Sequence, residues 1–145
     1  MTNTKNVKYT GNITELECYL AFLKLGHNIS IPYGDCERYD FIADVNGHLL
    51  RVQCKTSSFA NEDKTSIRFS CRSLNKVNGK QKMHKYSKDE IDFFATSHDG
   101  VCYLVPVEEC GCDKILRLSP SKNGQTRGVN NAEDYKIEVA LKKFL

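Results

Sequence analysis

Apolar residues recur along this chain in two periods. From Asn12 to Gly26 the period is helical: Ile13, Leu16, Leu20 and Leu23 form one stripe, which Tyr19 and Phe22 widen. Asn12 can cap the first turn, Glu15 three residues on is placed to close a capping box, and Gly26 supplies the stop. Residues 1–10 read as frayed. Beyond the helix, period two takes over. Tyr39 to Thr56, YDFIADVNGHLLRVQCKT, reads as two strands folded on Asn46-Gly47. Asn-Gly suits a two-residue type I′ turn, which needs positive φ at both central positions. With that loop, Val45 pairs with His48, Ala43 with Leu50, Phe41 with Val52 and Tyr39 with Cys54, all on an apolar face. The other face carries Asp44 with Leu49, Ile42 with Arg51 and Asp40 with Gln53, with Lys55 two residues beyond Gln53. A slip of one residue would bury Asp40 and Lys55, so the register is strongly specified.

The remaining elements are shorter. Asn28 to Tyr33 reads as a strand ended by Pro32 and Gly34, and Gly34 to Glu37 as a turn. Ser57 to Asp63 is a polar loop. Thr65 to Ser73 alternates, with Ile67, Phe69 and Cys71 set against Arg68, Ser70 and Arg72, and predicts a further sheet strand. Lys76 to Met83 reads as a basic loop containing glycine. Ser87 to Glu90 fits the pattern of a single helical turn. Ile91 to Ser97 and Val101 to Val107 form a second hairpin around His98-Asp99-Gly100. Lys114 to Leu118 is another strand, and Ser119 to Asn131 a polar loop. From Ala132 to Leu145 both periods fit, and a helix is favoured. The pattern predicts an α/β protein: a mixed central sheet with an N-terminal helix packed on it and a second β-hairpin.

Length and composition narrow the class. The 145 residues make one domain over 1–145, long enough to bury about 68–70% of the surface of the unfolded chain. No apolar run approaches the roughly 18 residues of a membrane span. The start, MTNTKNVKYT, has no signal-peptide core. The seven cysteines are odd in number and mostly lie inside apolar patterns, as expected of a reduced cytoplasmic chain. Cys110-Gly111-Cys112 invites a zinc site with Cys102 or His98. A structural zinc site usually shows two spaced pairs, so loop or core thiols are the better reading.

The net charge is +3, but eight Lys and Arg residues lie between Lys64 and Lys88 with no Asp or Glu among them. A one-sign block beside a polar site is the footprint of nucleic-acid binding. Arg72, Lys76, Lys80, Lys82 and Lys85, with Lys122 and Arg127 further on, are the candidate phosphate contacts. A solvated loop is the plainer alternative.

The polar hairpin face supplies candidate chemistry. Asp40, the Gln53 amide oxygen and the Cys54 carbonyl can hold a hard divalent cation such as magnesium, which needs few protein carboxylates when phosphate oxygens complete its shell. Lys55 can orient a water or stabilise charge on a phosphate. A metal, an attacking water and a cation beside a polyanion describe phosphodiester hydrolysis. Glu15 can add a carboxylate. The plain alternatives are an exposed Asp40–Lys55 ion pair, a capping role for Glu15, and an Arg51–Asp44 pair.

Gly11-x-x-x-Glu15, Tyr39-Asp40 and Gln53-x-Lys55 together resemble the PD-(D/E)XK nuclease superfamily. Tyr39 stands where Pro is named, and Gln53 where an acid is usual. Three stretches look like the bacterial group I intron-encoded homing endonucleases and their free-standing relatives: GNITELECYLAFLKLGHNISIPYGDCERYDFIADVNGHLLRVQCKT, YSKDEIDFFATSHDGVCYLVPVEE and AEDY. In that group Gln at the Gln53 position is part of the pattern. The resemblance implies a restriction-endonuclease-like core and a magnesium-dependent DNA endonuclease, with manganese as a substitute. It implies Asp40 as metal ligand, Gln53 at the metal-site position, Lys55 as catalytic lysine and Glu15 as helix acid. It also implies double-stranded DNA as substrate and a homodimer or homotetramer. Holliday junction resolvases and phage or repair nucleases share the core, and a catalytically silent DNA-binding module is the alternative from another class.

Overall fold

The computed structural model describes residues 4–120, 124 and 127–145, with Thr4, Lys5 and Asn75 described by their backbone alone. The first element, α1 (Thr4–Lys24), begins well before Asn12. Asn12 is therefore interior, and the expected capping box with Glu15 does not form. The Thr10 and Thr14 hydroxyls donate to the carbonyls of Asn6 (2.8 Å) and Thr10 (3.0 Å), one turn back, which seats polar side chains within a helix. The C-terminal end agrees with the expectation. Gly26 is left-handed at φ 84°. Its N–H reaches the Leu23 carbonyl at 3.0 Å and that of His27 reaches Phe22 at 3.1 Å, closing a Schellman motif. Gly26→Ala is expected to cost about 1–2 kcal/mol, because a Cβ crowds the backbone at positive φ. A urea titration would show a lower midpoint at unchanged slope.

The stripe that predicted α1 does not face the core. Ile13, Leu16, Leu20 and Leu23 are 55, 63, 49 and 48% exposed. The buried side is Thr14, Cys18 and Phe22, with Tyr19 and Ala21 packed beside them. The helix thus carries apolar residues on two opposite faces, one of them largely exposed among the described residues.

Ten strands follow. They are β1 (Asn28–Ser30), β2 (Phe41–Val45), β3 (His48–Cys54), β4 (Ser58–Phe59) and β5 (Ser66–Ser70), then β6 (Arg72–Val77), β7 (Lys80–Lys85), β8 (Phe93–His98), β9 (Val101–Pro106) and β10 (Asp113–Arg117). The central sheet runs β1-β2-β3-β8-β9 and is mixed, since β3 and β8 are parallel and the other pairs antiparallel. The Thr65–Ser73 alternation holds, with Ile67 and Phe69 buried and Arg68 exposed, but the segment is split: Ser66–Ser70 lies in a separate sheet, β10-β5-β4, and Arg72 and Ser73 begin β6. Lys76–Met83, expected as a loop, lies in an antiparallel ribbon of β6 and β7 that forms a third sheet. At the end of the chain, a 3₁₀ turn over Ala132–Tyr135 precedes helix α2 (Ile137–Phe144). Extended Lys136 (ψ 141°) separates the two.

Alternate residues of β8 and β9 serve two cores. Phe93, Ala95, Cys102 and Leu104 join Cys18, Phe22, Phe41, Val52 and Leu141 beneath α1 and α2. Phe94, Tyr103 and Val105 join Ile67, Phe69 and Leu116 against the small sheet. A sheet covered on both faces reads as continuous apolar sequence, which is why these strands show little alternation. Among the described residues, no helix is long and apolar enough to cross a membrane.

Candidate active site

The hairpin register is as expected from Val45–His48 through Phe41–Val52. Asn46 (φ 52°) and Gly47 (φ 89°) make the turn, and the Asp44 carboxylate accepts the Gly47 N–H at 2.9 Å. At Asp40 the ladder departs from the expectation. The Asp40 N–H donates to the Val52 carbonyl at 2.8 Å, although Val52 is already the partner of Phe41. One residue is thus inserted, in the manner of a β-bulge, which bends a strand and re-aims its side chains. Two expectations change in consequence. Asp40 is not paired with Gln53, and Tyr39 packs against the second core rather than sharing Phe41's face.

The re-aimed Asp40 finds a different anchor. Its Oδ2 accepts the backbone N–H of Cys54 at 2.8 Å, which ties the head of β2 to the end of β3. Gln53 lies beside Phe94 in the parallel register and is half-buried. The Lys55 N–H continues that pairing to the Ala95 carbonyl at 2.9 Å. Its Nζ donates to the Arg72 carbonyl at 3.0 Å and lies 5.3 Å from the centre of the Tyr86 ring. From α1, the part-buried Glu15 accepts a hydrogen bond from the Tyr19 hydroxyl.

These groups act on one another. Burial pushes the Asp40 carboxyl up to about 6, against the stabilising Cys54 N–H; Glu15 and Cys18 raise it further, and Lys55 opposes them. Burial lowers the Lys55 ammonium below its ordinary value, Asp40 counters it, and Arg38 adds to the depression. Glu15, Asp40 and Lys55 therefore share one electrostatic neighbourhood. Neither Asp40 nor Lys55 is the exposed ion-pair partner of the plain alternative, since both are half-buried.

Arg38 belongs to this neighbourhood and was missed. Its guanidinium stacks 3.9 Å from the Tyr86 ring centre, donates to Ser73 Oγ at 2.8 Å and pairs with Glu90 at 2.8 Å. It is the only Lys or Arg between Lys24 and Arg51, two residues before Asp40, which is the signal that marks it. Arg51 pairs with Asp92 at 3.2 Å rather than with Asp44.

Of the candidate phosphate contacts, Arg72, Lys76, Lys80, Lys82 and Lys85 all fall on the β6–β7 ribbon. Arg127 is exposed in a turn, and Lys122 lies outside the described residues. The cysteines of the zinc reading separate: Cys102 lies in the first core and Cys110 packs against the second. No group of three or more His, Cys, Asp or Glu side chains among the described residues is arranged to hold a metal ion.

A protein-family model described as PD-(D/E)XK endonuclease matches residues 5–138. The chain belongs to this family. The PD-(D/E)XK nuclease is also similar in structure to the bacterial homing endonuclease I-Ssp6803I, with a TM-score of 0.75. That match covers 93% of this chain and 91% of the other at 23% identity. At that identity the likeness speaks for the fold, which is the restriction-endonuclease-like α/β core expected from the sequence. No curated protein matches the chain.

Proposed function

We propose that this PD-(D/E)XK nuclease is a divalent-metal-dependent endodeoxyribonuclease that cuts both strands of double-stranded DNA, as a homing enzyme does. One observation carries the reading: Asp40 is held on the Cys54 N–H between Gln53 and Lys55, within reach of the fields of Glu15 and Lys55. The site suits a hard cation. A half-buried carboxylate raised by loss of solvent, with a second acid raising it further and Lys55 offsetting it only in part, is relieved by a cation. Asp40, the Gln53 amide oxygen and the Cys54 carbonyl would hold magnesium or manganese, with Glu15 as the helix acid. The ion would lower the pKa of the attacking water and offset phosphate charge.

The chain supplies the remainder. The Cys54 N–H fixes one Asp40 oxygen and leaves the second for the cation. The Arg72 carbonyl orients the Lys55 ammonium, whose charge stabilises the phosphate as it is attacked. Its lowered pKa eases proton exchange with water. Gln53 brings one fewer negative charge than an acid would. Arg72, Lys76, Lys80, Lys82, Lys85, Lys122 and Arg127 hold the DNA backbone. Seven free cysteines suit the reducing cytoplasm.

The test is incubation with plasmid and random-sequence DNA and magnesium or manganese, followed by sequencing of the ends. Double-stranded ends that recur at a preferred sequence are expected. Binding without cutting in either metal would instead make the chain a silent DNA-binding module. Preferential cutting of a four-way junction would make it a resolvase.

Cutting two strands from a one-strand site requires a second copy related by a two-fold axis. The exposed face of α1 suits that role. Tyr9, Ile13, Leu16, Leu20 and Leu23 are spaced alternately four and three residues apart, the seam that fits a like helix. Leu16→Lys with Leu20→Lys is expected to give a monomer in analytical ultracentrifugation and to turn double-strand cutting into nicking. An unchanged mass would rule out this face as the interface.

A further inference from the structure

The β6–β7 ribbon is more than a set of phosphate contacts. Six pairs, from Arg72–Lys85 to Val77–Lys80, are closed by Asn78 (φ 53°) and Gly79 (φ 76°). Every residue of β7 is exposed. The ribbon meets the body at its base, where Lys55 binds the Arg72 carbonyl, Arg38 binds Ser73 Oγ and His84 lies 3.5 Å from Glu90. A free two-stranded ribbon is marginal in water, so its exposed side chains point to a binding surface.

The pairing divides these residues by face. One face runs from the base Arg72–Lys85, Leu74–Met83, Lys76–Gln81. Leu74 and Met83 lie opposite each other and are 62 and 51% exposed. Phosphates alone would call only for cations. Here an apolar pair and an amide sit among the cations, the groups that meet thymine methyls and adenine edges. A two-stranded ribbon fits the major groove of double-stranded DNA, and the absence of any acid from Lys64 to Lys88 matches that partner's charge.

We infer that the ribbon enters the major groove with the Leu74–Met83 and Lys76–Gln81 face toward the base edges, and that Gln81, Leu74 and Met83 determine sequence preference. This rests on the proposed action on DNA and adds the part of the chain that selects its sequence. Lys55 is bonded to the first residue of the ribbon. At about 3.4 Å per residue along a strand, Gln81 stands some 14 Å further out. With base pairs about 3.4 Å apart, it reads about four base pairs from the cut phosphate.

Selection of bound sequences from a random duplex pool without divalent metal tests this independently of cleavage. The proteins compared are wild type, Gln81→Ala, Leu74→Ala with Met83→Ala, and Lys80→Ala as a phosphate-contact control. Wild type is expected to show a preferred sequence. Gln81→Ala should relax one position by about 5–150-fold with its salt dependence unchanged. The Leu74/Met83 variant should relax a neighbouring position. Lys80→Ala should weaken all sequences alike and lower the salt slope by about one. Unchanged preference in the first two variants, or a wild type that selects no sequence, overturns the ribbon as reader whether or not the protein cuts. Selective binding lost in those variants upholds it even if no metal supports cleavage, and then only the nuclease reading fails.

Discussion

Lys55→Met is expected to lower the rate of DNA cleavage by about 10²–10³-fold with the fold intact, the loss typical when one group aimed at developing charge is removed. Methionine keeps the length and apolar stem of lysine and removes the ammonium. The half-buried setting that depresses Lys55 also means little solvent can substitute for its charge. Two hydrogen bonds separate the roles of this residue. Its N–H binds the Ala95 carbonyl and survives any side-chain change, so the end of β3 stays in the sheet. Its Nζ binds the Arg72 carbonyl and is lost. Lys55→Arg should not restore the rate, because a planar guanidinium cannot take the place of a compact ammonium. Single-turnover cleavage measured beside metal-free DNA binding checks the claim. A variant that cuts at the wild-type rate would remove Lys55 from the reaction.

Asp40→Asn should abolish cleavage and, in the metal-free protein, raise stability. The carboxyl is shifted from an ordinary 3.8 to about 6 in the folded state. Between those values the folded chain holds a proton that the unfolded chain has released, so stability falls as pH rises through that window. Above about 6 the whole penalty is present. Asparagine carries no such penalty. Its advantage should grow from pH 4 to 6 and then level off at about 1 kcal/mol, well short of the full shift at about 1.4 kcal/mol per unit. Partial exposure screens the charge, and the variant gives up a charge-assisted bond to the Cys54 N–H. Urea unfolding at several pH values would show the two curves diverging. Magnesium should then stabilise the wild type and leave the variant unmoved. Parallel curves, or a variant less stable at neutral pH, would contradict the assignment.

Both outcomes turn on a small departure from regular structure. Strict alternation would have set Asp40 across from Gln53. The inserted residue instead carries the carboxylate onto the Cys54 N–H in a half-buried setting, where loss of solvent raises its pKa against that hydrogen bond. An extra backbone hydrogen bond from Asp40 to Val52 has no side-chain signature, so nothing in YDFIADV announces it.

The hairpin, its turn and the register from Phe41 to Val52 were legible because they are local. Asn46-Gly47 sets the turn, and side chains that alternate about the strand set the face. The end of α1 was legible for the same reason, since Gly26 needs only its own positive φ. Tertiary structure decided what locality cannot. Both stripes of α1 share one helical period, and only the sheet beneath shows that Thr14, Cys18 and Phe22 go in while Ile13, Leu16, Leu20 and Leu23 stay out. The basic segment is a ribbon that reads as a loop, because both its faces are largely wet and leave little apolar alternation to read. Arg38 joined the site through Ser73, 35 residues away. A contact at that separation exists only once distant segments have packed, and the sequence carries no local record of it.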